Sequence, residues 1–102
     1  MIKEISDHDY DEQVSQGKVI VDFWAPWCGP CKMLGSVIEE LAKELEDVTI
    51  LKINVDDYPE LAGKHGVMSI PTLLFYVDGK QVDNSVGVVS KNVILTKLER
   101  LS

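Results

Sequence analysis

A strand that hands over to an amphipathic helix and then to a second strand leaves a chain few topologies, and residues 18–55 carry that succession. Lys18-Val19-Ile20-Val21-Asp22-Phe23-Trp24 is rich in β-branched and aromatic residues and is bounded by Gly17 and Pro26, the pattern of a buried strand. From Cys31 the period changes. Leu34, Val37, Ile38, Leu41, Ala42 and Leu45 recur at steps of three and four, while Lys32, Glu39, Glu40, Lys43, Glu44 and Glu46 fill the opposite face. Residues 48–55 then put Leu51, Ile53 and Val55 on one side of a strand and Ile50, Lys52 and Asn54 on the other. A right-handed crossover between parallel strands follows from that order.

The remaining residues extend this unit. Asp57 and Pro59 mark the cap and first turn of a short helix ending near Gly63 or Gly66. Thr72-Leu73-Leu74-Phe75-Tyr76-Val77 and residues 81–88 flank Asp78-Gly79, a dipeptide suited to the positive backbone angles of a tight hairpin, so these strands should be antiparallel. Ser90 is placed to cap a last helix whose apolar side is Val93, Ile94, Leu98 and Leu101, and an acidic helix is expected over residues 7–15. The fold class is therefore α/β, with a mixed sheet between helices. At 102 residues the chain should form one domain, 1–102, without repeats or linkers.

Charge and hydropathy narrow the function classes. A formal net charge of -7, with no basic cluster to offset it, repels phosphate backbones and anionic membranes, so neither nucleic acid nor a membrane is an expected partner. No segment reaches the roughly 18 apolar residues of a membrane span. The start, Met1-Ile2-Lys3-Glu4-Ile5-Ser6-Asp7, lacks the basic, apolar and small-residue regions of a secretory signal, which makes the cytoplasm the expected location.

In a reducing compartment a purely structural disulfide is poorly maintained, and the two cysteines, Cys28 and Cys31, have C-x-x-C spacing beside the strand–helix–strand pattern. Cys28 falls in the turn before the helix and Cys31 one helical turn further in, so their sulfurs share a face. Unpaired N–H groups and the positive end of the helix dipole favour an anion at Cys28, which lowers a thiol pKa and makes it the expected nucleophile. Pro30, at an early helical position, loses no hydrogen bond and stiffens the short ring, while Gly29 leaves the sulfur open.

Other readings compete. An incidental disulfide closing so short a loop removes little unfolded-state entropy. Zinc would need two further ligands, and the only obvious nitrogen donors, His8 and His65, are distant from one another in the chain and read as surface residues; no metal is expected. Asp22 is either a solvated strand residue or, given the apolar character of both faces of its strand, a buried carboxyl whose raised pKa suits a proton acceptor. Lys52 alternates with apolar residues, as solvated strand lysines commonly do. Trp24 reads as packing, and Asp7, Asp9, Asp11 and Glu12 as solvated charges favouring a helix start.

The string Trp24-Ala25-Pro26-Trp27-Cys28-Gly29-Pro30-Cys31-Lys32 resembles the active-site signature of the thioredoxin family, and Ser69-Ile70-Pro71-Thr72 matches the loop that family places opposite it. The resemblance spans essentially the whole chain and implies the thioredoxin fold, a three-layer sandwich with a central mixed β-sheet flanked by helices. It implies a Cys28 thiolate that attacks a disulfide in a partner protein, Cys31 that resolves the mixed disulfide, and Asp22, with Lys52 nearby, that helps take the proton from Cys31. Pro71 corresponds to the family's cis-proline. Ile70 would offer its backbone to a substrate segment as an added strand. Trp27, Gly29, Pro30, Val86, Gly87 and Val88 would complete the docking surface.

The implied activity is that of a protein-disulfide reductase, an electron carrier in cell redox homeostasis, monomeric and recycled by a thioredoxin reductase. It has no cofactor beyond the redox-active Cys28–Cys31 disulfide. The Gly29-Pro30 dipeptide favours reduction, since small changes beside the sulfurs move the potential. A redox-independent protein-binding module on the same fold is the alternative. The sequence departs from the family at Ser36, where a proline is common, and Gly35 precedes it; a softer helix with less of a kink is expected there.

Overall fold

The computed structural model describes residues 2–101; residues 1 and 102, included in the expected domain, lie outside the described residues. Strand β2 (Lys18–Trp24) is the centre of a five-stranded sheet in the order β1-β3-β2-β4-β5. It pairs in parallel with β3 (Val48–Asn54) and antiparallel with β4 (Thr72–Val77). The crossover between β2 and β3 is α2 (Gly29–Glu44), as the change of period requires. β5 (Lys80–Val86) turns back on β4 through Asp78 and Gly79, at φ 48° and 86°.

Alternation along β2 sends its side chains into two cores. Val19, Val21 and Phe23 join Leu51, Ile53, Leu74 and Tyr76 beneath α1 (Tyr10–Gln13) and α3 (Pro59–Lys64), which contribute Tyr10 and Leu61. Ile20 joins Ile50, Leu73 and Phe75 beneath α2 and α4 (Lys91–Glu99), which supply Leu34, Ile38, Leu41, Ile94 and Leu98. The result is helices, mixed sheet, helices, the three layers expected. β2 is buried except at its two ends, as a central strand with helices on both faces must be.

Several local expectations are corrected. Residues 2–4 form β1 (Ile2–Glu4), a short parallel partner of β3 with no periodicity of its own to announce it. The acidic helix over 7–15 shrinks to a single turn. Asp9 at its start has helical backbone angles and makes no side-chain cap, and the Ser15 hydroxyl donates back to Glu12 O at 2.6 Å. Tyr58 rather than Asp57 occupies the N-cap of α3, because Asp57 N–H is turned back to Asn54 O. β5 ends at Val86 instead of residue 88: Gly87 adopts φ 87° and donates its N–H to Pro71 O. Ser90 does cap α4, accepting from Val93 N–H, but Val93 faces solvent, and Leu101 packs half-buried beyond the helix end.

Candidate active site

The turn from β2 into α2 places both sulfurs. Cys28 N–H bonds to Ala25 O, closing the turn, and Cys28 takes extended angles as the N-cap of α2. A cysteine can serve there because its sulfur accepts from Cys31 N–H at 3.1 Å, one of the orphan donors that every helix start exposes. Pro30 lies in the first turn, where its lack of N–H costs nothing. Cys28 and Cys31 form a disulfide with Cα atoms 5.2 Å apart. Both are buried, so Gly29 leaves much less of the Cys28 sulfur open than its missing side chain suggests.

Around the disulfide the site is assembled from several elements. Ala25 shares its small core, and Trp24, Val55 and Ile70 pack against it. The Ile70–Pro71 peptide is cis, and Pro71 is buried. Pro71 O holds Gly87 N–H at 2.8 Å, and Thr72 pairs in register with Val86, so the loop and the end of β5 form one surface. Trp27, Val86 and Val88 are exposed large apolar residues, at 69%, 62% and 42% of full accessibility, and Gly29 and Pro30 are exposed as well. Trp27 is held in place: its indole N–H donates to both carboxylate oxygens of Asp56, at 3.1 and 2.9 Å. Asp56 is in turn anchored through its N–H to the Asn54 side chain.

Asp22 is wholly buried, which removes the solvated reading. It stands on the same sheet face as Ile20, opposite Lys52 in register, and neither carboxylate oxygen has a hydrogen-bond partner among the described residues. Burial pushes its pKa up to about 7, against the pull of Lys52 and with added repulsion from Glu4. Lys52 is half-buried with its ammonium 4.8 Å from the centre of the Trp24 ring, a cation–π position. A cleft lined by Trp24, Pro26, Cys31, Gly35, Ser36 and Lys52 opens between this row and α2. Among the described residues there is no group of three or more His, Cys, Asp or Glu side chains placed to hold a metal ion.

A family model described as Thioredoxin matches residues 1–100. The chain belongs to the thioredoxin family. It is 51% identical to a thioredoxin of Bacillus subtilis over 94 residues, covering 91% of this chain and 90% of that protein. It is 43% identical to a thioredoxin of Chlamydia trachomatis over 100 residues, 98% of each. Among solved structures, a point mutant of a thioredoxin from Halobacterium salinarum superposes with a TM-score of 0.88 at 37% identity, covering 97% of this chain and 88% of that one. The fold is the thioredoxin fold, and the activity is thiol–disulfide exchange, catalysed as a protein-disulfide oxidoreductase through Cys28 and Cys31. The redox-independent binding module gains no support from these relatives.

Three neighbours of the thioredoxin site are not marked by any sequence motif. Asp56 lies just past the end of β3, and it is the hydrogen bond from the Trp27 indole that shows the two meet. Met68, 98% exposed, lines a shallow groove with Trp27, Val67 and Ile70; its position two residues before Ile70 is the available signal. Glu4 joins the Asp22 row through β1, the strand without a period of its own. His65, expected on the surface, instead stacks on Tyr10 with ring centres 4.3 Å apart and its Nε2 buried, on the sheet face away from Asp22.

Proposed function

We propose that this chain, acting as one domain over residues 1–102, reduces disulfides in partner proteins by a two-step exchange with divided roles. In the dithiol form the Cys28 thiolate attacks one sulfur of the substrate disulfide, forming a mixed disulfide and releasing the other substrate sulfur as a thiolate that takes up a proton. Cys31 then loses its proton and attacks Cys28 Sγ. The Cys28–Cys31 bond forms, the mixed disulfide breaks, and the substrate leaves with both sulfurs reduced. The observation that carries this reading is the Cys28 sulfur at the N-cap of α2, accepting the Cys31 N–H. That environment favours sulfur as an anion, both as attacking and as leaving group.

Asp22 is the acceptor for the Cys31 proton. Its burial without a hydrogen-bond partner among the described residues supports the role, since a carboxyl with a pKa of about 7 is matched to a proton that moves at neutral pH. Lys52 moderates that affinity. The cis Ile70–Pro71 segment, packed against the disulfide core, offers the Ile70 backbone to an extended substrate segment. Trp27, Gly29, Pro30, Val86, Gly87 and Val88 supply the surrounding apolar surface. A thioredoxin reductase returns the disulfide to the dithiol, the protein works as a monomer in the cytoplasm, and it takes no further cofactor.

Reduction of insulin disulfides by the pre-reduced protein tests the division. Cys28→Ser should abolish turnover while retaining substrate binding, and Cys31→Ser should accumulate a mixed disulfide through Cys28. Undiminished turnover by Cys28→Ser would defeat the assignment.

A further inference from the structure

The sheet register places three ionisable side chains in one row. Glu4 of β1 pairs with Lys52 of β3, and Lys52 pairs on its other side with Asp22 of β2. Alternation puts them on one face, because Ile2 packs into the core beneath α2 and α4 and Glu4 follows it by two residues. Lys52 thus stands in register between two carboxyl-bearing residues, with its ammonium over the Trp24 ring, and among the described residues it has no ion pair with either. We propose that Glu4 is a positioning residue that raises the proton affinity of Asp22, by sharing the Lys52 charge and by adding its own negative charge to the row. The proposal rests on the reading of Asp22 as the acceptor for Cys31.

Both contributions have the same sign. An ionised Glu4 draws on the Lys52 ammonium that would otherwise favour ionised Asp22, and it repels a second negative charge on the same face. Glu4 is exposed on the edge strand, where water screens its charge in part; partial burial raises its pKa, Lys52 and the Trp24 indole N–H lower it, and Asp57 raises it. Among the described residues that indole N–H makes no hydrogen bond of ordinary geometry, yet it lies near enough to Glu4 to favour its charged form.

Among the described residues, Lys52 and Glu4 are the charges that act on Asp22. The facing element α2 brings Cys31, and places Lys32 and Glu39 along the cleft shared with Lys52. Across the other side the register partner on β4 is Leu73, which carries no charge. On α4, Lys91 and Lys97 are engaged by Glu44 and Asp83.

The test follows the Asp22 carboxyl carbon by NMR in 13C-labelled protein with the disulfide closed, with Asp22→Asn identifying the signal. In the wild-type protein the midpoint should lie well above the ordinary carboxylate range. Glu4→Gln should lower it by about 0.5 pH unit, roughly a threefold loss of proton affinity, and Glu4→Asp should restore most of the shift. The pH profile of mixed-disulfide resolution should move with it. An unmoved or raised midpoint in Glu4→Gln, with Asp22 still titrating high, overturns the proposal while leaving Asp22 its role. An Asp22 midpoint in the ordinary carboxylate range in the wild type overturns the reading of Asp22 itself, and the role of Glu4 with it.

Discussion

At Asp22 burial and chemistry pull against each other, and the conflict is measurable as stability. Its folded pKa, about 7, lies above the ordinary value of 3.8, so the folded state holds the proton more tightly than the unfolded chain does. The stability tied to this group is fully present below the unfolded pKa and is lost as pH rises through about 7. Asp22→Asn should therefore match the wild type near pH 3.5 and exceed it above pH 7.5. The expected gain is on the order of 4 kcal/mol, read from urea unfolding of the disulfide form; equal stabilities at pH 8 would contradict the buried ionised carboxylate. The residues carrying the exchange, Cys28 and Cys31, are legible in the sequence because a spacing of three beside a strand-to-helix turn is a local fact. Asp56 and Glu4 are not, because their partners Trp27 and Lys52 lie 29 and 48 positions away, distances that a side-chain hydrogen bond and the sheet register close only in the folded chain.

Elements with a strong period are legible and those without one are not. β2, α2 and β4 follow their patterns because each buries an apolar face large enough to dictate its own conformation. β1 has three residues and borrows its hydrogen bonds from β3, and α1 is one turn whose single buried residue is Tyr10, so tertiary packing decides both. α2 also carries a local cost. It runs unbroken from Gly29 to Glu44 through Gly35 and Ser36, where the family commonly has a proline, and the Ser36 hydroxyl turns back toward Lys32 O. A Cβ built on Gly35 meets no atom of the described residues within 4 Å beyond its own stretch of helix, and Gly35 lies inside α2 without a positive φ. Gly35→Ala should thus stabilise the protein by about 0.5–1 kcal/mol through helix propensity alone. Chemical denaturation of the two proteins with their disulfides intact checks this, and a loss of stability would mean that the cleft beside α2 closes on that position.

For the molecule as a whole, the two cores on either side of the sheet carry opposite responses to pH. On the α2 side the Asp22 contribution weakens as pH rises. On the α1 side His65 stacks on Tyr10 and joins α3 to α1, and burial, seconded by Lys64, lowers its pKa below 6.5 against a weaker pull from Asp11. A histidine held neutral by the fold contributes stability that is present above the unfolded pKa and lost as pH falls through the folded one. Below the ordinary histidine value of 6.5 the two slopes have opposite signs, so the wild-type profile is the difference of two opposed titrations. His65→Phe keeps a ring on Tyr10 and removes the proton site. Its urea midpoint, compared with wild type, should be relatively higher at pH 5 than at pH 7.5, whereas that of Asp22→Asn should gain in the opposite direction. The double variant should show the two differences added, because the groups lie on opposite faces of the sheet and belong to separate cores. A His65→Phe profile parallel to the wild type from pH 5 to 7.5 would show that the imidazole is as free to protonate in the fold as in the unfolded chain.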